Sequence, residues 1–388
     1  MSVIRSILSI TVLVCLAAAG PGAAERPRAP LSLQQEVDRA PTETRDVDLV
    51  FCLDVSGSMK PLLDEVRARL WEVVNEFAGM TPTPELRIGL MVYGSKAGPE
   101  TGRIVIQHDL TADLDDVYST LMSLETSGGA EYVGWAIHRA LEELSWSDDG
   151  DALRILMIAG NEEADQALEH YDFRDEASRA FDQGVTIHAL YAGTQDKAVK
   201  HRWPEIADWS RGTYAPVKPS PNVVNLETPL DAPLTTLNQR YNATFVPVGS
   251  AGADALTRIQ AQDEAAGSLG AQSLGSRIAT KAGGLLGAAS WDLVDAASVP
   301  GFDLSTVDAA DLPEEMRYLP YGELLDLLET KRAEREAIKV QILEADAERR
   351  EFIRKRSSRN GQPGVVDAMR EAVRSDAESS GFTAGRAK

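Results

Sequence analysis

Cysteine is the scarcest resource in this chain: Cys15 and Cys52 are its two examples in 388 residues. Cys15 sits in an apolar run over residues 7–19, which follows the lone charge Arg5 and precedes the small residues Gly22-Ala23-Ala24. That pattern reads as a secretory signal over residues 1–24, removed to leave a mature chain that begins near Glu25. Cys52 would then have no partner, which excludes an intramolecular disulfide even in an oxidising compartment. Within Leu49-Val50-Phe51-Cys52-Leu53 it reads as a small buried hydrophobe. Long apolar runs are lacking too. The N-terminal one is well short of the ~20 residues needed to cross a bilayer, so no span is expected in the mature chain. Leu13-Val14 before Cys15 lacks the small residue of a lipidation site. Basic charge is also in deficit, with 39 Lys+Arg against 60 Asp+Glu and a net charge of −21. This disfavours nucleic acid and anionic membrane as partners and is compatible with cation binding, although solubility accounts for most of it.

Motifs of the common catalytic machineries are missing. No Gly-x-Gly-x-x-Gly or Gly-Lys-Ser/Thr phosphate loop occurs, and no Gly-x-Ser-x-Gly nucleophile elbow. His108, His138, His170, His188 and His201 are scattered without zinc-ligand spacing. A non-enzymatic protein is therefore expected.

What is present is an alternation. Residues 25–45 are rich in Pro, Arg and polar side chains and form a linker or edge extension. From Asp46 the pattern changes to apolar runs at 47–53, 86–93, 104–107, 153–159, 185–192 and, weakly, 213–217, which predict strands. Amphipathic stretches between them, at 62–77, 114–124, 133–144, 171–183 and 206–210, predict helices. Runs apolar on both faces, such as Ile155-Leu156-Met157-Ile158, suit parallel strands covered on each side. The expected fold over 46–217 is α/β, a doubly wound, mostly parallel sheet flanked by helices. Ligands of such a sheet bind outside the carboxyl ends of its strands, here after Leu53, Leu124 and Ala159.

A second, mostly helical part should follow. Residues 218–312 turn Pro-rich and then Ala/Gly-rich. Here 255–265 could be helical, while Gly267, Gly270, Gly275, Gly283, Gly284 and Gly287 weaken any long helix by roughly 1 kcal/mol each. This stretch is expected to be loosely ordered, or helical where it packs on the first domain, with Trp291 as its anchor. In the remaining segment, 313–388, residues 324–356 contain no Gly or Pro. Leu324, Leu328, Ile338, Ile342, Ala345 and Phe352 recur at helical steps, interrupted by Lys331, Arg335 and Arg349. That predicts a long amphipathic helix with a narrow apolar face, followed by a shorter helix at 365–377. The long helix either packs on the chain's own body or offers a coiled-coil seam for self- or hetero-association.

The chemistry concentrates where the first strong strand ends, in Asp54-Val55-Ser56-Gly57-Ser58-Met59. A carboxylate and two hydroxyls at alternate positions of a tight loop can converge on one centre. Oxygen-only donors suit a hard cation, Mg²⁺ foremost, with Ca²⁺ or Mn²⁺ as alternatives. Placed between a buried strand and a helix, the loop resembles the opening of the metal-ion-dependent adhesion site of the von Willebrand factor type A family. The resemblance covers about 46–217. It implies a second loop that supplies a Thr or, in some branches, a Glu, and Ser127-Gly128-Gly129-Ala130-Glu131 places Glu131 there. A third loop usually supplies an Asp, and here Ile158-Ala159-Gly160-Asn161-Glu162 departs from the pattern with Gly160. Asn161 or Glu162 is then the nearest group to reach the metal or its waters. Ser290-Trp291-Asp292-Leu293-Val294-Asp295 and Leu312-Pro313-Glu314-Glu315-Met316 also look similar to exported bacterial proteins with this domain.

The expectation is an exported protein, periplasmic, envelope-associated or secreted. It would bind a protein ligand that offers an exposed Asp or Glu to a cation held by Asp54, Ser56, Ser58 and Glu131. The alternative is an envelope scaffold whose metal loop is vestigial and whose C-terminal helix makes the contacts. A strand ending in Asp54 is also similar to haloacid-dehalogenase-like phosphotransferases, but Ser56 stands where their second Asp would be, so the acid/base pair is missing.

Overall fold

The computed structural model describes residues 44–96, 103–166, 171–219, 226–356 and 363–384. The expected signal segment, Cys15 and most of the expected linker lie outside the described residues.

In chain order the elements are β1 (Thr44–Asp54), α1 (Lys60–Val74), β2 (Met80–Thr81), β3 (Thr83–Tyr93), β4 (Val105–Thr111), α2 (Leu114–Ser123), α3 (Val133–Glu143), β5 (Leu153–Gly160), α4 (Phe173–Asp182), β6 (Val185–Ala192), α5 (Gln195–Lys200), α6 (Trp203–Ser210) and β7 (Tyr214–Val217). Then come α7 (Asp231–Asn242), α8 (Gly249–Leu269), α9 (Ala271–Ala282), α10 (Leu293–Ala296), α11 (Tyr321–Arg356), α12 (Val365–Ser379) and β8 (Thr383–Ala384). Six strands form one sheet in the order β4-β3-β1-β5-β6-β7. All neighbours are parallel except the edge pair β3–β4. This is the doubly wound, mostly parallel sheet that the alternation predicts.

Period-two side-chain alternation builds a core on each face of the sheet. Val47, Leu49, Phe51 and Leu53 of β1 pack with residues of α1, α2 and α12. Val50 and Cys52 point the other way, into a core shared with α3, α4 and α6. The central strands are apolar on both faces because each face is covered. Caps set several helix starts: Asp113 accepts from Asp116 N at α2, and Asp172 from Arg174 N at α4.

The first face is completed from far along the chain. Val365, Val366, Met369 and Val373 of α12 join the same core as Phe51 and Trp71. β8 pairs antiparallel with β2, and Lys218 N donates to Pro363 O at 3.1 Å. Residues 226–356 thus form a helical excursion that leaves and re-enters the α/β domain at adjacent points.

The excursion is more regular than its glycine content predicts, with α8 and α9 running through Gly252, Gly267 and Gly275. Close approach is the reason at two of these. A Cβ on Gly252 would lie 2.9 Å from Trp291 O, and one on Gly275 would lie 3.1 Å from the Arg349 guanidinium. Trp291 packs against Phe245 with ring centroids 5.1 Å apart. On α11, Arg335 and Arg349 do not interrupt the buried face. They lie on it, each 1% exposed, because Arg335 meets Asp292 at 2.6 Å and Arg349 meets Asp231 at 2.8 Å. Among the described residues no helix is long and apolar enough to cross a membrane.

Candidate functional site

The sheet order reverses direction at β1, where the connection through α1 leads to β3 on one side and β5 lies on the other. The crevice at the carboxyl ends of these strands is lined by Asp54, Tyr93 and Gly160. Asp54 and Tyr93 are register partners. Backbone bonds close the rim: Val55 N donates to Tyr93 O at 3.0 Å, and Ser127 N to Val55 O at 2.7 Å. The first and second loops are thereby fastened together.

Asp54 is fully buried. Its Oδ1 accepts from Ser56 N at 2.7 Å, while its Oδ2 is buried with no hydrogen-bond partner. The Ser56 and Ser58 hydroxyls lie 3.2 Å apart, and Asn161 Nδ2 donates to Ser58 Oγ at 3.0 Å. Asn161 Oδ1 is the second buried, unpartnered oxygen at this rim. Glu131 closes on the same place. A Cβ added to Gly94 would lie 2.9 Å from Asp54 Oδ1 and 3.2 Å from Glu131 Cγ, and Gly94 has φ +70°. Only glycine suits that backbone and leaves room for both acids.

The acids are crowded electrostatically. Burial pushes the Asp54 carboxyl up to about 7, against hydrogen bonds from Ser56, and Glu131 and Glu162 push it the same way. Glu131 is raised too, first by burial and then by Glu162, while hydrogen bonds with Gln166 and Ser56 oppose the shift. Asp54, Ser56, Ser58, Glu131 and Asn161 therefore meet at one rim. Glu162 has an exposed side chain and acts on the two acids through its charge. Gln166 is a neighbour that the sequence reading missed, since nothing in its local pattern marks it. Among the described residues no cluster of three or more His, Cys, Asp or Glu has metal-holding geometry. The donors gathered here are mixed, hydroxyls and an amide beside two carboxylates.

The departure at Gly160 has a steric cause. A Cβ there would lie 2.1 Å from the Tyr93 hydroxyl and 3.2 Å from the Trp203 ring. Tyr93 is held in that position by donating to Ala159 O at 2.9 Å. The volume in which an acidic side chain at 160 would begin is filled by a phenol. Trp203 Nε1 donates to Glu162 O at 2.7 Å, Ala164 N donates to His201 O at 3.0 Å, and the Tyr191 hydroxyl contacts His201 Nδ1 at 3.0 Å. The third loop is thus pinned by the start of α6.

Comparison with known families agrees with this architecture: residues 48–215 match the model of the von Willebrand factor type A domain. That stretch of the chain is a domain of this type. Among solved structures, proximal thread matrix protein 1 from the mussel byssus, with a zinc-occupied metal-ion-dependent adhesion motif, is 14% identical. That match covers 46% of this chain and 43% of the mussel protein, with a TM-score of 0.35. An aerotolerance-related membrane protein from Bacteroides fragilis is 17% identical over 43% of this chain and 90% of its own, TM-score 0.32. The pilus adhesin of Lactobacillus rhamnosus GG is 18% identical over 44% of this chain and 28% of its own, TM-score 0.33. The present chain thus spans less than half of the mussel protein and of the adhesin. No curated protein matches.

Proposed function

We propose that this is an exported, non-enzymatic binding protein that recognises an acidic group on a protein partner through a divalent cation at the Asp54 rim. The observation that carries the reading is Asp54 Oδ2, a buried carboxylate oxygen without a partner. Such a group costs several kcal/mol unless a counter-charge reaches it. Asp54, Ser56, Ser58 and Glu131 would hold the cation, with Asn161 Oδ1 and Glu162 within reach of it or of its waters. All are hard oxygen donors, which favours Mg²⁺ over softer metals. A bound cation supplies a coordination position that a partner's Asp or Glu oxygen can fill. With Gly160 in the third loop, the protein charge next to the cation comes from Asp54 and Glu131. Export rests on the N-terminal pattern over residues 1–24.

Thermal unfolding after chelation, and again with millimolar Mg²⁺, Ca²⁺ or Mn²⁺, tests the cation. Saturation at about 100 times Kd should add ~2.7 kcal/mol to the wild type and nothing to Asp54→Ala. Identical melts under all conditions would sink the proposal and leave a scaffold that works through its helices.

A further inference from the structure

Large hydrophobic side chains exposed on the described surface concentrate on α11 and the segment leading into it. Tyr318 is 89% exposed, Val340 55%, Leu325 43% and Leu343 41%. The N-terminal half of α11 also forms one wall of a groove of about 230 Å³, lined by Phe302, Tyr321, Leu325, Leu328, Glu329 and Arg332.

Beginning at Leu325, steps of four and three residues in alternation pass through Glu329, Arg332, Glu336 and Lys339 to Leu343. That spacing keeps all six on one flank of the helix, about 27 Å long, in the repeat that two helices use to pack along a seam. Read forwards the stripe is Leu-Glu-Arg-Glu-Lys-Leu; read backwards it is Leu-Lys-Glu-Arg-Glu-Leu. An antiparallel copy therefore places leucine on leucine at both ends and an acid opposite a base at every layer between. Leu325 faces the second copy's Leu343, Glu329 its Lys339, and Arg332 its Glu336. The same register brings the second copy's Leu343 onto Leu325, which lines the groove. Within one chain Arg332 pairs with Glu329 at 2.6 Å and Lys339 with Glu336 at 2.9 Å. A parallel copy in the same register would oppose like with like.

We propose that α11 is a self-association surface, and that two copies of this chain pair antiparallel about a two-fold axis near Glu334. The pairing is isologous and independent of the cation rim. A seam of one helix pair is at the small end of specific interfaces, so a reversible dimer is expected.

Sedimentation velocity of the full chain over about 1–200 μM tests this, with circular dichroism melts confirming that each variant folds. The wild type should dimerise, Leu343→Glu should be monomeric, and Arg332→Glu should weaken the dimer at least roughly tenfold. Arg332→Glu combined with Glu336→Arg restores opposite charges across the axis and should recover the wild-type constant to within about threefold. A monomeric wild type overturns the proposal, as does a dimer indifferent to Leu343→Glu, which would place the contact on another surface. Failure of the double exchange to recover overturns the antiparallel register.

Discussion

Two buried aspartates, one in the helical excursion and one at the rim of the sheet, sit in opposite electrostatic surroundings. In the helical excursion, Asp263 accepts from Arg277 Nε at 2.7 Å, Lys281 Nζ at 2.6 Å, and the amides of Asn238 and Asn242 at 2.9 Å each. Burial pushes its carboxyl up, but Lys281 and Arg277 outweigh burial and hold it below the usual range. At the rim of the sheet, Asp54 is as deeply buried and has Ser56 as its hydrogen-bond donor and two acids as neighbours, so it rises to about 7. The first acid is compensated by its neighbours and the second is not.

The compensated half of that comparison predicts the largest effect. Arg277 is fully buried, joins Asp263 to Asp115 of α2 at 2.6 Å, and lies over the Trp71 ring. Replacing it with Met leaves Asp115 without its cation and Asp263 with Lys281 and two amides, and should cost about 3–5 kcal/mol in urea unfolding. A loss below about 1 kcal/mol would mean that the network does not hold the two parts together.

Gly160→Asp should destabilise by about 1–3 kcal/mol through overpacking against Tyr93 and Trp203. In a Tyr93→Phe background the loss should shrink, because the nearest atom is gone. Strict additivity in the double-mutant cycle would show that Tyr93 is not what excludes the acid.

The uncompensated half is probed by Asp54→Asn. In the metal-free protein the native carboxyl keeps its proton up to about 7, while the unfolded chain loses it near 3.8. The native state therefore binds more protons between those values. Stability contributed by this group falls as pH rises from about 4 to about 7, and the full deficit is present above 7. The neutral amide should flatten that dependence and raise metal-free stability at pH 8 by on the order of 1–2 kcal/mol, while removing any gain from added cation. A metal-free variant less stable than wild type at pH 8 would contradict the strained-acid account. As the smallest effect, Lys60→Ala removes an exposed pair with Asp64 at 2.8 Å and should change unfolding by less than about 0.5 kcal/mol.

What could be read along the chain is local in physical origin. Leu49 to Leu53 and Leu153 to Ala159 are apolar on both faces, so covered parallel strands follow from their composition. Asp54, Ser56 and Ser58 are neighbours in one loop, so their convergence needs only a turn. The helical spacing of Leu324, Leu328, Ile338 and Ile342 made α11 legible in the same way. Tertiary structure alone decided the rest, because those contacts join residues far apart in sequence. Tyr93 fills the space beside Gly160, α12 returns to cover β5 and β6, and Arg335 and Arg349 turn inward because Asp292 and Asp231 meet them there. Burial of a charge depends on its partner, and no pattern of spacing along one segment specifies which distant residue that partner will be.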